Sequence, residues 1–344
     1  MAFEETESQC AYFKAAVTGF AGTGKTTLAR NFAIGLHRYC VERGTMSPGA
    51  PVMALDTEVG IDFQRPAFRE AGIRLLVDKA RNFTRLVPAI KEAEDAGGIL
   101  IVDSITAYWS EIQEAYMARK GRTAMRFDDW RWVKSSWASF TTAFTNSACH
   151  IILCGRAGWE YDFQEDDAGK RELVKTGVKL RAESDLGYEP SLLVLMDRHM
   201  EMKEGAIQDI YRTGMVLKDR AALIDGQVFR NPTFNDFLPH VESLNLGGTH
   251  VGVDVSKTSA SIIPPDSKEW RNEKQEREIV LDEIQQHLIK LYPSQSVADK
   301  TAKTDLIEQH FGTRSWKKVE GLAIQDLRAA YRALTGQEQI ADRF

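Results

Sequence analysis

The stretch Gly19-Phe20-Ala21-Gly22-Thr23-Gly24-Lys25-Thr26-Thr27 fills the spacing GxxxxGK[ST]. Its glycines free the backbone to turn N–H groups inward around an anion, and a helix opening at the end of the loop adds a partial positive charge. Lys25 is spaced to reach the β- and γ-phosphates of ATP, and the Thr26 hydroxyl to ligate Mg²⁺. Gly19, Ala21, Gly22, Thr23, Gly24, Lys25, Thr26 and Thr27 are therefore the expected nucleotide cradle. Such a loop works only between a buried strand and a helix. Tyr12 to Thr18 is a short, mostly apolar run, and Leu28, Phe32, Leu36 and Tyr39 recur near helical spacing from Thr26 to Cys40.

A second cluster supplies carboxylates. Ile99-Leu100-Ile101-Val102 is a buried-strand run that ends on Asp103, a Walker B pattern. Ligands of open α/β sheets bind at the carboxyl ends of strands, so Asp103 is expected to hold Mg²⁺ opposite Thr26. The competing role for Asp103 is a helix N-cap, which Ser104 can share. Hydrolysis also needs a base for the attacking water. No acidic residue follows Asp103 directly, and the candidate is Glu58 in Ala54-Leu55-Asp56-Thr57-Glu58. It stands just past a strand expected to neighbour the one entering the phosphate loop. By spacing alone, a surface turn glutamate is an equal reading.

The elements needed to position these groups are legible along the chain. Pro51 to Asp56, Ile73 to Val77, Ile99 to Val102 and Ile151 to Cys154 read as strands. Asn82 to Ala96 and Phe127 to Asn146 read as helices, the latter with Trp130, Val133, Trp137 and Phe140 on one face. Alternating units of this kind predict an α/β fold with a mainly parallel sheet covered on both faces. Leu192 to Met196, Ile207 to Thr213 and Leu223 to Phe229 suggest an antiparallel extension. Leu244 to Lys268 is rich in Gly, Ser, Thr and Pro and reads as a linker. Val280, Ile284, Leu288 and Leu291, then Leu306 to Phe311 and Ile324 to Leu334, mark helices. The expected organisation is a core over 1–243, a linker over 244–268 and a helical module over 269–344.

A chain of 344 residues has room for about two domains of ~150 residues, which this division uses. The net charge of -5 excludes a global basic field for nucleic acid but leaves room for a local groove. Cys10, Cys40, Cys149 and Cys154 form no CxxC pair and no zinc spacing, so free thiols are expected. Met1 to Gln9 is acidic and polar, unlike a signal peptide, and no apolar run approaches the ~20 residues that span a bilayer. The expectation is a cytoplasmic protein with no membrane partner.

In order and spacing, these motifs resemble the RecA-like ATPase core. Glu58 then corresponds to the catalytic glutamate after the second strand. The stretch Glu58-Val59-Gly60-Ile61-Asp62-Phe63 is similar to the segment that follows it, which implies that Asp62 approaches the adenine. Arg65 stands where that family has a stacking aromatic, and an arginine plane can also stack. Lys218-Asp219-Arg220 resembles the Lys-x-Arg pair that ring and filament ATPases extend to a neighbour's γ-phosphate, with Lys218 and Arg220 as the two cations. Arg156 stands where the family keeps a γ-phosphate sensor, usually glutamine, and is a candidate sensor or DNA contact. Gly187-Tyr188-Glu189-Pro190 completes a likeness, over about residues 12 to 232, to phage RecA-like proteins that include the Sak-type single-strand annealing ATPases.

That resemblance implies a homo-oligomer, as a ring or filament, acting on single-stranded DNA in recombination or annealing in a phage or host cytoplasm. The long polar connection 157–186 is a candidate DNA-binding loop, with Lys170, Arg171, Lys175, Lys179 and Arg181 downstream of Trp159 and Tyr161. Arg119, Lys120 and Arg122 form a second basic stretch. The C-terminal lysines and Arg314 suit DNA, a single-strand binding protein or another replication partner. Three other functions share the phosphate loop: a replicative helicase or helicase loader, a small-molecule or nucleotide kinase, and an ATP-gated adaptor.

Overall fold

The computed structural model describes residues 10–165, 171–203, 206–253, 266–294 and 296–336. In chain order the first half contains β1 (Lys14–Gly19), α1 (Lys25–Glu42), β2 (Val52–Asp56), α2 (Arg65–Glu70), β3 (Leu75–Asp78), α3 (Leu86–Asp95), β4 (Ile99–Asp103), α4 (Ile105–Arg119) and α5 (Asp129–Asn146). The second half contains β5 (His150–Glu165), β6 (Arg171–Leu180), β7 (Leu192–Lys203), β8 (Ala206–Asp219), β9 (Val228–Arg230), α6 (Leu238–Glu242), α7 (Asp266–Leu291), α8 (Val297–Phe311), α9 (Trp316–Val319) and α10 (Ile324–Thr335).

Alternation along the buried strands builds two cores from one sheet. Ala15 and Val17 of β1, Ile99 and Ile101 of β4 and Ile152 of β5 face Leu28, Phe32 and Leu36 of α1. Ala16, Leu100, Val102, Ile151 and Leu153 face the other way, onto Ile90 of α3, Tyr108 of α4 and Trp137, Phe140 and Phe144 of α5. Every residue of β1 and β4 is buried, as strands covered on both faces require. Each large apolar side chain fully buried here contributes about 1.5–3 kcal/mol.

The strand order is β3-β2-β4-β5-β1-β7-β8-β9, with β6 paired to β5. β3, β2, β4, β5, β1 and β7 run parallel, while β8 and β9 add antiparallel strands. The fold is thus the expected mainly parallel α/β sheet with an antiparallel extension and C-terminal helices. Three local expectations change. β2 does not neighbour β1; it lies between β3 and β4, with β4 and β5 separating it from β1. Residues 157–165 and 171–180 pair as a β-hairpin, because β5 runs on past the sheet to Glu165 and β6 returns beside it. Leu223 to Gln227 form a turn, and only Val228–Arg230 is strand.

The chain divides into two compact units: residues 1–114 with 126–253, and residues 115–125 with 254–344. The first holds the sheet, and Leu244 and Leu246 of the expected linker pack on its core. The second is built on Val280, Ile284 and Leu288 of α7 with Phe311, Val319, Leu327 and Tyr331. Inside it, buried Asp282 receives Lys120 Nζ at 2.8 Å and Arg119 at 3.2 Å. Two of the three residues of this second basic stretch, expected to meet DNA, are therefore engaged by a carboxylate of their own unit. Arg122 closes the turn after α4 through its N–H to Met117 O. None of the described helices is long and apolar enough to cross a membrane.

Candidate active site

The phosphate loop leaves β1 at Gly19 and enters α1 at Lys25. Gly22 and Gly24 take φ of 75° and 95°, the left-handed region open to glycine. At Gly19 the constraint is space: a Cβ there would lie 2.6 Å from Met196 O. Thr23 Oγ1 donates to Phe20 O at 2.9 Å, which closes the loop, and Lys25 Nζ donates to the same carbonyl at 2.9 Å. Helix geometry leaves the first N–H groups of α1 without intrahelical acceptors. Ala21 and Thr27 complete the segment, so every predicted cradle residue lies in one loop-to-helix turn.

Parallel pairing brings the carboxylates to this loop. Asp56 of β2 stands opposite Asp103 of β4, so Thr57 and Glu58 leave the sheet beside Asp103 and Ser104. Thr57 N donates to Asp103 O at 2.7 Å, and Ser104 N donates to Thr57 Oγ1 at 3.0 Å. Thr26 Oγ1 donates to Asp103 Oδ2 at 2.5 Å. Burial raises the Asp103 carboxyl to about 6; Thr26 opposes the rise, and the charges of Glu58 and Asp56 add to it.

Glu58 is held from two sides. Ser104 Oγ donates to its Oε1 at 2.9 Å, and Arg156 approaches the same oxygen through Nε at 3.0 Å and a terminal nitrogen at 2.9 Å. Arg156 stands opposite Gly19 in the β1–β5 register, and its N–H donates to Thr106 Oγ1 at 2.9 Å. The turn carrying Glu58 is built by buried Asp56, whose carboxylate accepts from the N–H groups of Glu58, Gly60 and Ile61 at 3.2, 3.1 and 3.0 Å. Within it Val59 takes φ 59°, a costly conformation for a β-branched residue. Backbone strain of this kind clusters at functional sites.

The same turn makes room for a metal. A Cβ on Gly60 would come within 3.3 Å of Thr26 Oγ1 and 3.6 Å of Asp103 Oδ2. Among the described residues no cluster of three or more His, Cys, Asp or Glu is built to hold a metal by itself. A hydroxyl, one carboxylate and open space suit Mg²⁺, which takes few protein oxygens and completes its shell with phosphates and water. Bound there, Mg²⁺ would neutralise phosphate charge. Ser104, read from sequence only as an alternative N-cap, here holds Glu58, while Asp56, Thr57 and Gly60 were given no role of their own; the available signals were their positions in and beside Asp-Thr-Glu.

The remaining predicted residues lie at varying distances from this centre. Asp62, in the 3-10 turn Ile61–Gln64, accepts Arg65 Nε at 2.7 Å and Lys79 Nζ at 2.5 Å. Lys79 and then Arg65 hold its carboxyl below the usual range, so Asp62 and Arg65 are engaged with one another. Lys218 stands opposite Leu193, which is itself opposite Ala16 of β1. Lys218 and Arg220 both donate to Tyr188 O, in the Gly187-Tyr188-Glu189-Pro190 turn. Burial, and then the charge of Arg220, lowers the Lys218 ammonium to about 8. Asp219 between them is buried. It accepts the N–H groups of Ala221, Leu223 and Ile224 and pairs with His240 Nδ1 at 2.7 Å.

Of the hairpin residues, Lys175 places its ammonium over the Trp159 ring. Trp159 in turn packs on Phe20 of the phosphate loop, with centroids 4.8 Å apart. Tyr161 is exposed, and Lys179 lies 3.9 Å from Glu160. Lys179 and Arg181 line a cavity of about 260 Å³ shared with Trp109 and Trp130, whose rings stack at 6.1 Å. Trp130 is thus half-buried at a cavity wall, although the sequence put it on one helix face with Trp137, which is fully buried. Lys170 and the side chain of Arg171 lie outside the described residues.

The model of a family described as an AAA domain aligns with residues 11–218. That span contains the phosphate loop, Glu58, Asp103, Arg156 and both hairpins up to Lys218. Comparison with curated proteins finds no match.

Proposed function

The chain belongs to the AAA-domain family, whose P-loop ATPase architecture implies nucleotide binding and hydrolysis, and from that premise we propose a Mg²⁺-dependent ATPase acting as a homo-oligomer on single-stranded DNA, in recombination or strand annealing. The observation that carries the ATPase reading is Glu58, held by Ser104 and Arg156 beside the Thr26–Asp103 pair. Lys25 and the loop amides bind the triphosphate, and Thr26 and Asp103 would hold the Mg²⁺ that neutralises its charge. Glu58 takes a proton from the attacking water, worth roughly 10²- to 10⁴-fold in such steps. Arg156 swings from Glu58 toward the γ-phosphate when that group arrives.

Oligomerisation is supported by where the second pair of cations sits. Lys218 is level with Ala16, so about 10 Å along the sheet and two strands across, another ~10 Å, separate it from Gly19. Arg220 lies further still. Neither side chain reaches its own phosphate loop; both are held on Tyr188 O with Arg220 exposed, which leaves the phosphate of a neighbouring copy as the one they would serve. Cations supplied in trans stabilise transition-state charge in phosphoryl transfer.

Contact with DNA is supported by the β5–β6 hairpin. Trp159 and Tyr161 offer stacking faces, and Lys175, Lys179 and Arg181 offer phosphate contacts. Through Phe20, Trp159 also touches the loop that holds nucleotide. The test is ATP turnover with and without single-stranded DNA in wild type and Lys25→Ala. Stimulation lost in the variant supports the reading; equal turnover with and without DNA removes the DNA half of it.

A further inference from the structure

β1 has two flanks, and the carboxylate chemistry occupies one. Glu58, Ser104, Asp103 and Arg156 come from the β5, β4 and β2 side. On the other flank Met196 of β7 stands opposite Gly19, and Gly214 of β8 stands opposite Met196. Two residues back along β8, on the same face as Gly214, is Arg212. Its side chain crosses the phosphate loop: a Cβ on Gly24 would lie 2.8 Å from Arg212 Cδ and 3.1 Å from its Nε.

The backbone of Arg212 is pinned in both directions. Its N–H donates to Asn231 Oδ1 at 2.9 Å, and its carbonyl accepts Asn231 N at 2.7 Å. Among the described residues its guanidinium has neither a hydrogen-bond nor an ion-pair partner. Arg230, paired through β9 with the same hairpin, is by contrast committed to Asp209 and Glu201. A guanidinium is a bidentate phosphate ligand, and the structured neighbour of Arg212 is an anion cradle.

We propose that Arg212 binds the α-phosphate and ribose end of the nucleotide within its own subunit, from the flank opposite Glu58. This rests on the nucleotide-binding reading above. With the γ-phosphate drawn to Thr26, Asp103 and Glu58, the flank toward β7 and β8 receives the part that ATP and ADP share. Arg212 is therefore a residue of affinity rather than of turnover.

The experiment is calorimetric titration of wild type, Arg212→Ala, Arg212→Lys and Arg230→Ala with Mg²⁺ and either ADP or a non-hydrolysable ATP analogue, with melting curves and kcat alongside. Arg212→Ala is expected to weaken both nucleotides by the same factor, about tenfold to a hundredfold for a lost charge-assisted contact. Its kcat at saturating ATP stays near wild type, Arg212→Lys recovers part of the affinity, and Arg230→Ala binds normally. Unchanged affinity in both Arg212 variants overturns the proposal. So does a loss confined to the ATP analogue, which puts Arg212 at the γ-phosphate, or an equal loss in Arg230→Ala. If Arg212→Ala does not fold, Arg212→Lys binding both nucleotides as tightly as wild type also overturns it. Wild type that binds neither nucleotide refutes the nucleotide reading itself.

Discussion

Replacing Glu58 by glutamine removes one negative charge and leaves the size of the side chain unchanged. The Ser104 hydroxyl, now 2.9 Å from Oε1, can donate equally to an amide oxygen. The ion pair with Arg156 is lost, but the Arg156 and Glu58 side chains are 59% and 32% exposed, so its contribution to stability is about 0–1 kcal/mol. For a unit of this size that corresponds to a fall in Tm of at most about 4 °C. The phosphate loop, Thr26 and Asp103 are untouched, so ATP affinity holds. Loss of the base lowers turnover by roughly 10²- to 10⁴-fold. Removing the Glu58 charge also lowers the Asp103 pKa, since that charge helps to raise it. Single-turnover phosphate release, with nucleotide binding and a melting curve on the same samples, measures turnover, affinity and stability together. Turnover within a few-fold of wild type while ATP still binds would refute the assignment of Glu58. Loss of binding would refute it differently, by making Glu58 a ligand of the ground state.

Three further outcomes follow from the same geometry. Asp103 titrates near 6 when the site is empty, so Mg²⁺-nucleotide affinity rises with pH up to that value, by at most about tenfold per unit, and levels off above it; Asp103→Asn abolishes that slope in a titration series. Gly60→Ala pushes a methyl group toward Thr26 Oγ1 and Asp103, so it weakens Mg²⁺-dependent nucleotide binding with little change in Tm; equal affinity would show that the turn has room to spare. Burial holds His150 neutral, with its pKa lowered to about 3 and its Nδ1 accepting the Phe13 N–H at 3.0 Å. The unfolded chain takes up that proton below about 6.5, so stability falls as pH drops from there toward 3, by up to ~1.4 kcal/mol per unit. Urea unfolding of wild type and His150→Asn from pH 7 to 5 isolates this contribution, which is absent if the two proteins lose stability in parallel.

The phosphate loop and Asp103 were legible because each is a contiguous pattern whose local requirements, strand then loop or strand then carboxylate, are written in neighbouring residues. Glu58 was harder. Spacing left it level with a surface glutamate, because its place depends on β2 lying beside β4, and strand order is a non-local property. For that reason the expected neighbour of β2 was the wrong strand. The β5–β6 hairpin read as a loop because its strands leave the sheet and lack the alternation that a buried face imposes. Asp219 lies between two cations and reads as part of a solvated patch, yet backbone N–H groups and His240 bury it, and this turn fixes where Lys218 and Arg220 emerge. Arg212 carries no local signal at all, because it reaches the phosphate loop across β7.

On the reading proposed above, each phosphate loop is completed by the cations of another copy. The most direct test of that reading mixes Lys25→Ala subunits, which cannot bind ATP but keep Lys218 and Arg220, with Arg220→Ala subunits, which bind ATP but lack a complete pair. Each protein alone should be inactive, and turnover should appear on mixing, with a maximum near equal proportions. Mixtures that stay as inactive as their components, while the two proteins demonstrably co-assemble, would contradict a site shared between subunits.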